Sequence, residues 1–156
     1  MPLVRFLVDG YSLLHNWPEL APGQPRFSAT ARGELISRLT QYHDACGTAL
    51  TIVFDGTSGG PGTGSVHSTP AVEVLFTRSG QTADQLIERA AYRLSAFGEV
   101  LVVTDDFAER DTVISLGGMA SSCLNFINTV EHALADLDRD VKQYNLREKR
   151  RFKSAR

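Results

Sequence analysis

Leu3-Val4-Arg5-Phe6-Leu7-Val8-Asp9-Gly10 opens the chain with a short, nearly continuous apolar run that ends in aspartate and glycine. A run of this length is too short for a core helix and reads as a strand buried on both faces. Three further segments share its character: Ala49–Phe54, Val72–Phe76 and Val100–Thr104. Continuous rather than alternating hydrophobicity marks a parallel sheet covered on both sides. A brief fifth strand is expected around Met119-Ala120.

Helix-period patterns lie between these runs. Ala29–Ala45 repeats apolar residues at Leu35, Ile36, Leu39 and Tyr42, and Gly47 is placed to end it. Thr82–Ser95 opens with Thr82-x-x-Gln85, a capping-box spacing, and repeats Ala83, Ile87, Ala90, Ala91 and Leu94. A shorter helix is expected from about Phe107 to Leu116, stopping at Gly117-Gly118. The last helix starts near Ser121 or Ser122, with Ile127, Val130, Leu134, Leu137, Val141 and Tyr144 spaced alternately three and four apart. That heptad stripe is under three heptads long, so docking on its own sheet is expected, with a coiled coil as the alternative. Strands alternating with helices predict a three-layer α/β/α sandwich around a mainly parallel sheet of four to five strands.

A chain of 156 residues fits one domain with a real core. No apolar run approaches the roughly 20 residues that span a bilayer, so no membrane partner is expected. Met1-Pro2-Leu3-Val4-Arg5 puts no basic segment before a long apolar one, so no secretory leader is expected either. Cys46 and Cys123 fit no zinc spacing and read as two reduced, buried thiols of a cytoplasmic protein. The net charge of −2 conceals an asymmetry: residues 139–156 carry +6 and residues 1–138 carry −8. The chain therefore divides into a domain, 1–138, and a basic helix end or tail, 139–156. A basic tail on an acidic body implies a polyanionic partner. Nothing in the pattern demands more than a monomer or weak dimer.

In open parallel sheets, ligands bind beyond the carboxyl ends of the strands. Three strands of this sheet run into aspartate: Asp9-Gly10, Asp55-Gly56 and Thr104-Asp105-Asp106. Asp84 falls in the first turn of the helix after the third strand, with Glu88 one turn on along the same side. Asp9, Asp84, Asp106 and Asp105 are thus expected within a few ångströms of each other, with Asp55 near the rim. Each has a plainer reading. Asp84 complements a helix dipole, Asp55-Gly56 makes a turn, and one of Asp105 and Asp106 is a helix N-cap. Asp9 is harder to dismiss, because Gly10 lets backbone approach a ligand closely. Two carboxylates about 4 Å apart repel by roughly 4 kcal/mol at an effective dielectric near 20, so such a group calls for protons or a shared divalent ion. An all-oxygen donor set favours Mg²⁺ or Mn²⁺ over zinc.

The glycine-rich stretch Gly56–Pro70 lacks a Gly-Lys-Ser/Thr ending and opens no helix, which rejects a nucleotide P-loop and leaves a flexible loop. His15, His43, His67 and His132 show no ligand spacing and read as structural or surface residues.

Val8-Asp9-Gly10-Tyr11-Ser12-Leu13-Leu14, followed by Trp17-Pro18-Glu19-Leu20, resembles the opening of the YacP-like NYN family, ribonuclease-type domains related to PIN nucleases. The resemblance continues through Val53-Phe54-Asp55 and Val72–Thr77, and is strongest in Gln81-Thr82-Ala83-Asp84-Gln85-Leu86-Ile87-Glu88. Thr104-Asp105-Asp106-Phe107-Ala108-Glu109 and Gly118-Met119-Ala120-Ser121-Ser122 look like two further family elements. It implies a PIN-like fold and a metal-dependent endoribonuclease, one branch of which associates with the ribosome and cuts messenger RNA in the decoding site. Carried over by motif, the metal ligands would be Asp9, Asp84 and Asp106, supported by Glu88 and Glu109. Two positions depart from the family: Ser12 stands where asparagine is usual, and Asp105 where serine is usual, adding one negative charge.

The resulting expectation is hydrolysis of single-stranded RNA by water activated on carboxylate-bound Mg²⁺ or Mn²⁺. Asp105 and Ser12 would join the metal ligands in catalysis. Lys142, Arg147, Lys149, Arg150, Arg151 and Lys153 would hold RNA backbone, and Tyr144 or Phe152 could stack on a base. The rival readings are a catalytically weakened RNA- or ribosome-binding module, kept open by Ser12, and a metal-dependent phosphatase of small phosphoesters.

Overall fold

The computed structural model describes residues 2–56 and 68–154. The stretch 57–67, with His67 and most of the glycine-rich segment, lies outside the described residues.

Five strands form one sheet: β1 (Leu3–Asp9), β2 (Ala49–Phe54), β3 (Val72–Phe76), β4 (Glu99–Val103) and β5 (Met119–Ser121). Their order is β3-β2-β1-β4-β5 and every pairing is parallel. The expected α/β/α sandwich is therefore what the chain forms. The order reverses direction at β1, so a crevice opens between the carboxyl ends of β1 and β4, where such sheets bind ligands.

Successive strand residues feed opposite faces. Phe6, Val8, Leu50, Ile52, Phe54, Val72 and Val74 pack against α1 (Gly10–His15), α2 (Ala29–Cys46) and the first part of α5 (Cys123–Ser154). Leu7, Val53, Val100 and Val102 pack against α3 (Ala83–Leu94) and Val113 of α4 (Phe107–Ser115). Both faces of the central strands are covered, which is why the sequence shows no alternation there. The capping box that opens α3 is complete: the Thr82 hydroxyl accepts from the Gln85 amide and the Gln85 side chain accepts from the Thr82 amide.

Two short elements are added to the expected set. A six-residue α1 follows β1 directly, and a 3₁₀ turn covers Pro18–Leu20. Between them Trp17 is buried, and its indole Nε1 donates to Glu131 Oε1 of α5 at 3.1 Å. Gly10 begins α1 because a Cβ there would sit 2.3 Å from the Phe54 ring. The glycine serves packing of the start of α1 on β2, a different reason from close approach to a ligand.

The heptad stripe divides. Ile127 and Val130 are buried and Leu134 packs against them, as docking requires, while Leu137, Val141 and Tyr144 are exposed. From residue 135 onward α5 stands clear of the body for roughly 30 Å, at 1.5 Å per residue. Of the two thiols, Cys123 is buried as expected but Cys46 is exposed. It ends α2, where the chain turns out through Gly47 at φ 78°. Among the described residues no helix is long and apolar enough to cross a membrane.

Candidate active site

Each aspartate that follows a strand does a local job first. Asp9 Oδ1 accepts from the Ser12 amide at 3.2 Å and so caps α1. Asp55 Oδ1 accepts from the Ala83 amide at 3.0 Å and fixes the first turn of α3 from outside. Asp106 Oδ1 accepts from the amides of Ala108 and Glu109, at 2.9 and 3.4 Å, and caps α4. Asp105 accepts from the Cys123 amide at 2.9 Å through Oδ1 and from Asn16 Nδ2 at 3.0 Å through Oδ2, which ties α5 to α1. Strand-end aspartates satisfy helix amides that would otherwise lack acceptors. The same placement concentrates negative charge along one edge of the sheet.

The group the structure brings together is not the expected Asp9, Asp84, Asp106 and Asp105 with Asp55 at the rim: Asp55 and Glu109 join Asp9 and Asp84, while Asp105 and Asp106 stand outside it. Asp84 and Asp55 both act on Asp9, and Asp84 and Asp9 both act on Glu109. Glu109 lies one turn into α4 and is almost fully buried (3 % exposed), whereas Asp105 and Asp106 are exposed. The Thr104 hydroxyl, at the end of β4, donates to Glu109 Oε2 at 2.8 Å and aims the side chain inward. The other oxygen, Oε1, is buried with no hydrogen-bond donor, and the Asp84 carboxyl is in contact with the Glu109 side chain. Asp106 accepts from the first amides of α4, while Glu109, three positions later, lies buried at the crevice. Among the described residues Glu88 forms no hydrogen bond or ion pair with this group.

The electrostatics follow from that geometry. Burial is the main cause pushing Glu109 up to about 8, and contact with Asp84 pushes the same way against the Thr104 bond. Asp9 is raised above the ordinary carboxylate range, first by burial and further by Asp84 and Asp55, with the Ser12 amide and hydroxyl opposing. Ser12, in place of the family's asparagine, thus spends its hydroxyl on Asp9. Beneath them the Cys123 thiol is pushed up to about 12 by burial and by Asp105, which makes it inert at neutral pH.

Among the described residues no three His, Cys, Asp or Glu side chains already stand at metal-holding distances. The fit to a divalent ion rests instead on the donor chemistry: all-oxygen ligands, one of them buried with an unused lone pair.

Asp105→Ala is expected to destabilise the fold by about 1–2 kcal/mol, the usual cost of losing a cap. Asp105→Asn retains an acceptor and should be close to neutral; urea melts compare the two.

The basic residues of α5 are all solvent-facing. Lys142 pairs with Asp138 at 3.0 Å and Arg151 lies 3.9 Å from Glu148, both exposed pairs that contribute little. Arg147, Lys149 and Lys153 form no ion pair among the described residues. Sequence reading overlooked a shallow cleft beside the acidic edge, lined by Tyr11, Ser12, His15, Asn16, Phe27 and Asp105. Its walls come from segments with no shared motif.

Comparison with known proteins agrees with this architecture. The model of the YacP-like NYN domain matches residues 6–155. YacP of Bacillus subtilis (strain 168) is 29% identical over 138 residues, spanning 88% of this chain and 81% of the relative. The crystal structure of Rae1 (YacP) from Bacillus subtilis as a W164L mutant superposes with a TM-score of 0.76 at 28% identity, over 92% of this chain and 84% of that one. A second crystal structure of that protein gives 0.72 at 27% identity, over 92% and 81%.

Proposed function

The chain belongs to the YacP-like NYN domain family, and from that premise we propose that it is a metal-dependent endoribonuclease acting on single-stranded RNA in the cytoplasm, messenger RNA on the ribosome included. The observation that carries the reading is the buried Glu109 carboxyl in contact with Asp84 and within electrostatic reach of Asp9, at the crevice between β1 and β4.

Asp9, Asp84 and Glu109 would hold one Mg²⁺ or Mn²⁺, with Asp55 and Asp106 at the rim. A cation held there would supply activation of water for hydrolysis of the phosphodiester, which would leave 5′-phosphate and 3′-hydroxyl ends. The chain's own groups prepare the site. Ser12 holds Asp9 by amide and hydroxyl. Asp55 fixes the turn that presents Asp84. Thr104 orients Glu109. Since water attacks, the 2′-hydroxyl is not consumed, and preference for RNA comes from shape and from contacts along the strand.

Cleavage of a labelled single-stranded RNA, and of messenger RNA on translating ribosomes, in Mg²⁺ and in Mn²⁺ tests the reading. Metal-dependent cutting supports it. Binding of both substrates with neither cut would favour instead a module that binds RNA without cleaving it, the reading that Ser12's engagement with Asp9 supports.

The projecting half of α5 supplies the backbone anchor in this scheme. Exchanging Lys149, Arg150, Arg151 and Lys153 for glutamine should weaken RNA binding uniformly across sequences. It should also flatten the slope of log affinity against log salt by up to about 3, at roughly 0.7 per phosphate contact on a single strand. Unchanged salt dependence in a filter-binding titration would remove this helix from the RNA path.

A further inference from the structure

Four aromatic rings form an unbroken ladder from the core to the rim of the acidic edge. Phe76 stacks on Phe54 at 5.4 Å, Phe54 meets Tyr11 at 5.1 Å, and Tyr11 meets the edge of Phe27 at 5.0 Å. Phe54 is fully buried, while Phe27 remains 48 % exposed. A single exposed ring is ordinary in itself; the surroundings of this one are not. It lines the cleft of about 320 Å³ that also contains Ser12, and the Ser12 amide donates to Asp9. The cleft therefore shares a wall with the acidic group.

Two arginines are bonded to residues that line the cleft. Arg32 Nη1 donates to the Phe27 carbonyl at 3.0 Å and to the Tyr11 hydroxyl at 3.4 Å. Arg26 Nη1 donates to His15 Nδ1 at 2.8 Å. Neither arginine pairs with a carboxylate among the described residues, although the body they belong to carries an excess of acid. An exposed ring backed by a second ring, with guanidinium groups that lack a carboxylate partner held on the cleft's lining residues, complements a flat base joined to a phosphate.

We propose that this cleft is a nucleobase subsite: the base next to the scissile phosphate stacks on Phe27, and its flanking phosphate lies against Arg26 and Arg32. Which nucleotide occupies it rests on the nuclease reading above; that a base occupies it does not. The ladder makes the platform rigid. Arg32 bridges Tyr11 and Phe27, so the two rings present one fixed surface before any ligand arrives.

The test is binding of a short fluorescent single-stranded RNA, read by anisotropy in Mg²⁺ on an Asp84→Asn background to prevent cutting. Phe27→Ala should weaken binding at least about five-fold, the low end for loss of one stacked base, and Phe27→Trp should retain it. RNA carrying one abasic nucleotide at the subsite position should bind the two proteins alike. Unlabelled RNA should quench the emission that Phe27→Trp adds, whereas Trp17 is buried and should not respond. The proposal falls if a folded Phe27→Ala binds as tightly as its parent, if that emission ignores saturating RNA, or if the protein binds no RNA. With Asp84 intact the two readings separate. Cleavage whose KM is indifferent to Phe27→Ala leaves the nuclease and removes the subsite, while Phe27-dependent binding without cleavage leaves the subsite and removes the nuclease.

Discussion

Asp84→Asn is expected to reduce metal-dependent RNA cleavage by about a hundred-fold or more while leaving the protein as stable as the parent, or more so, at pH 8. Loss of groups that merely orient a metal ligand costs 10- to 100-fold, so loss of a ligand's charge should cost at least the upper end. Stability moves the other way because two effects oppose each other. Asp84 sits in the first turn of α3, where a negative charge contributes about 0.3–1 kcal/mol through the helix dipole. It also touches Glu109, which is raised to about 8 partly on that account. Burial is the larger cause of that shift and Asp84 accounts for only part of it, so relief of repulsion should roughly offset the dipole gain or slightly exceed it. Cleavage rates alongside thermal melts check both halves. A variant that still cuts would clear Asp84 of any role at the metal. One that melts several degrees lower and loses activity in proportion would make Asp84 a helix-dipole residue only.

Much of the site's placement was legible in the sequence, whereas which neighbouring acid turns inward was not. Strands and long helices declare themselves through continuous apolar runs, a capping box and a terminal glycine. The resulting topology places the ends of β1, β2 and β4 and the start of α3 at one edge without any side-chain information. Which of several neighbouring acids turns inward is a different question. Asp105, Asp106 and Glu109 lie within five residues, and their rotamers depend on which helix amides need acceptors and on the Thr104 hydroxyl. The Asp106-x-x-Glu109 spacing at the start of α4 carried the clue, since a carboxylate capping at the first position leaves the glutamate's side chain for other partners. The short α1 was hidden for a related reason. Glycine is a poor helix starter, and only the Asp9 cap and the Phe54 ring against Gly10 account for a helix there. Phe27 and Tyr11 are sixteen positions apart, so nothing local announces that their rings meet.

Glu109 also sets the sign of the pH response. Metal-free protein is expected to lose stability as pH rises from about 5 to about 8, and Glu109→Gln should abolish most of that loss. The ordinary value for this carboxyl is 4.5 and its folded value is about 8. Below 4.5 both folded and unfolded chains hold the proton, and the contribution is fully present. Between the two values the folded state keeps a proton that the unfolded state has released, so stability falls with rising pH. Above about 8 both are ionised and the loss is complete. Burial at 3 % exposure means little solvent screening, and the total should be on the order of a few kcal/mol. Asp9, also raised, adds to the fall from lower pH. Glutamine preserves an acceptor for the Thr104 hydroxyl and offers amide hydrogens to Asp84, so the variant should be the more stable protein at pH 8. Mg²⁺ provides the complementary measurement. At 100 times its dissociation constant a ligand stabilises by about 2.7 kcal/mol, which in a domain of this size raises Tm by roughly 5–10 °C. Wild type at pH 8 should show such a rise and Glu109→Gln little of it, because the substitution removes one proposed ligand together with the repulsion that the cation relieves. An equal response in both proteins would take Glu109 out of the proposed metal site, and a flat pH profile in the metal-free wild type would contradict the buried, raised carboxyl on which that site depends.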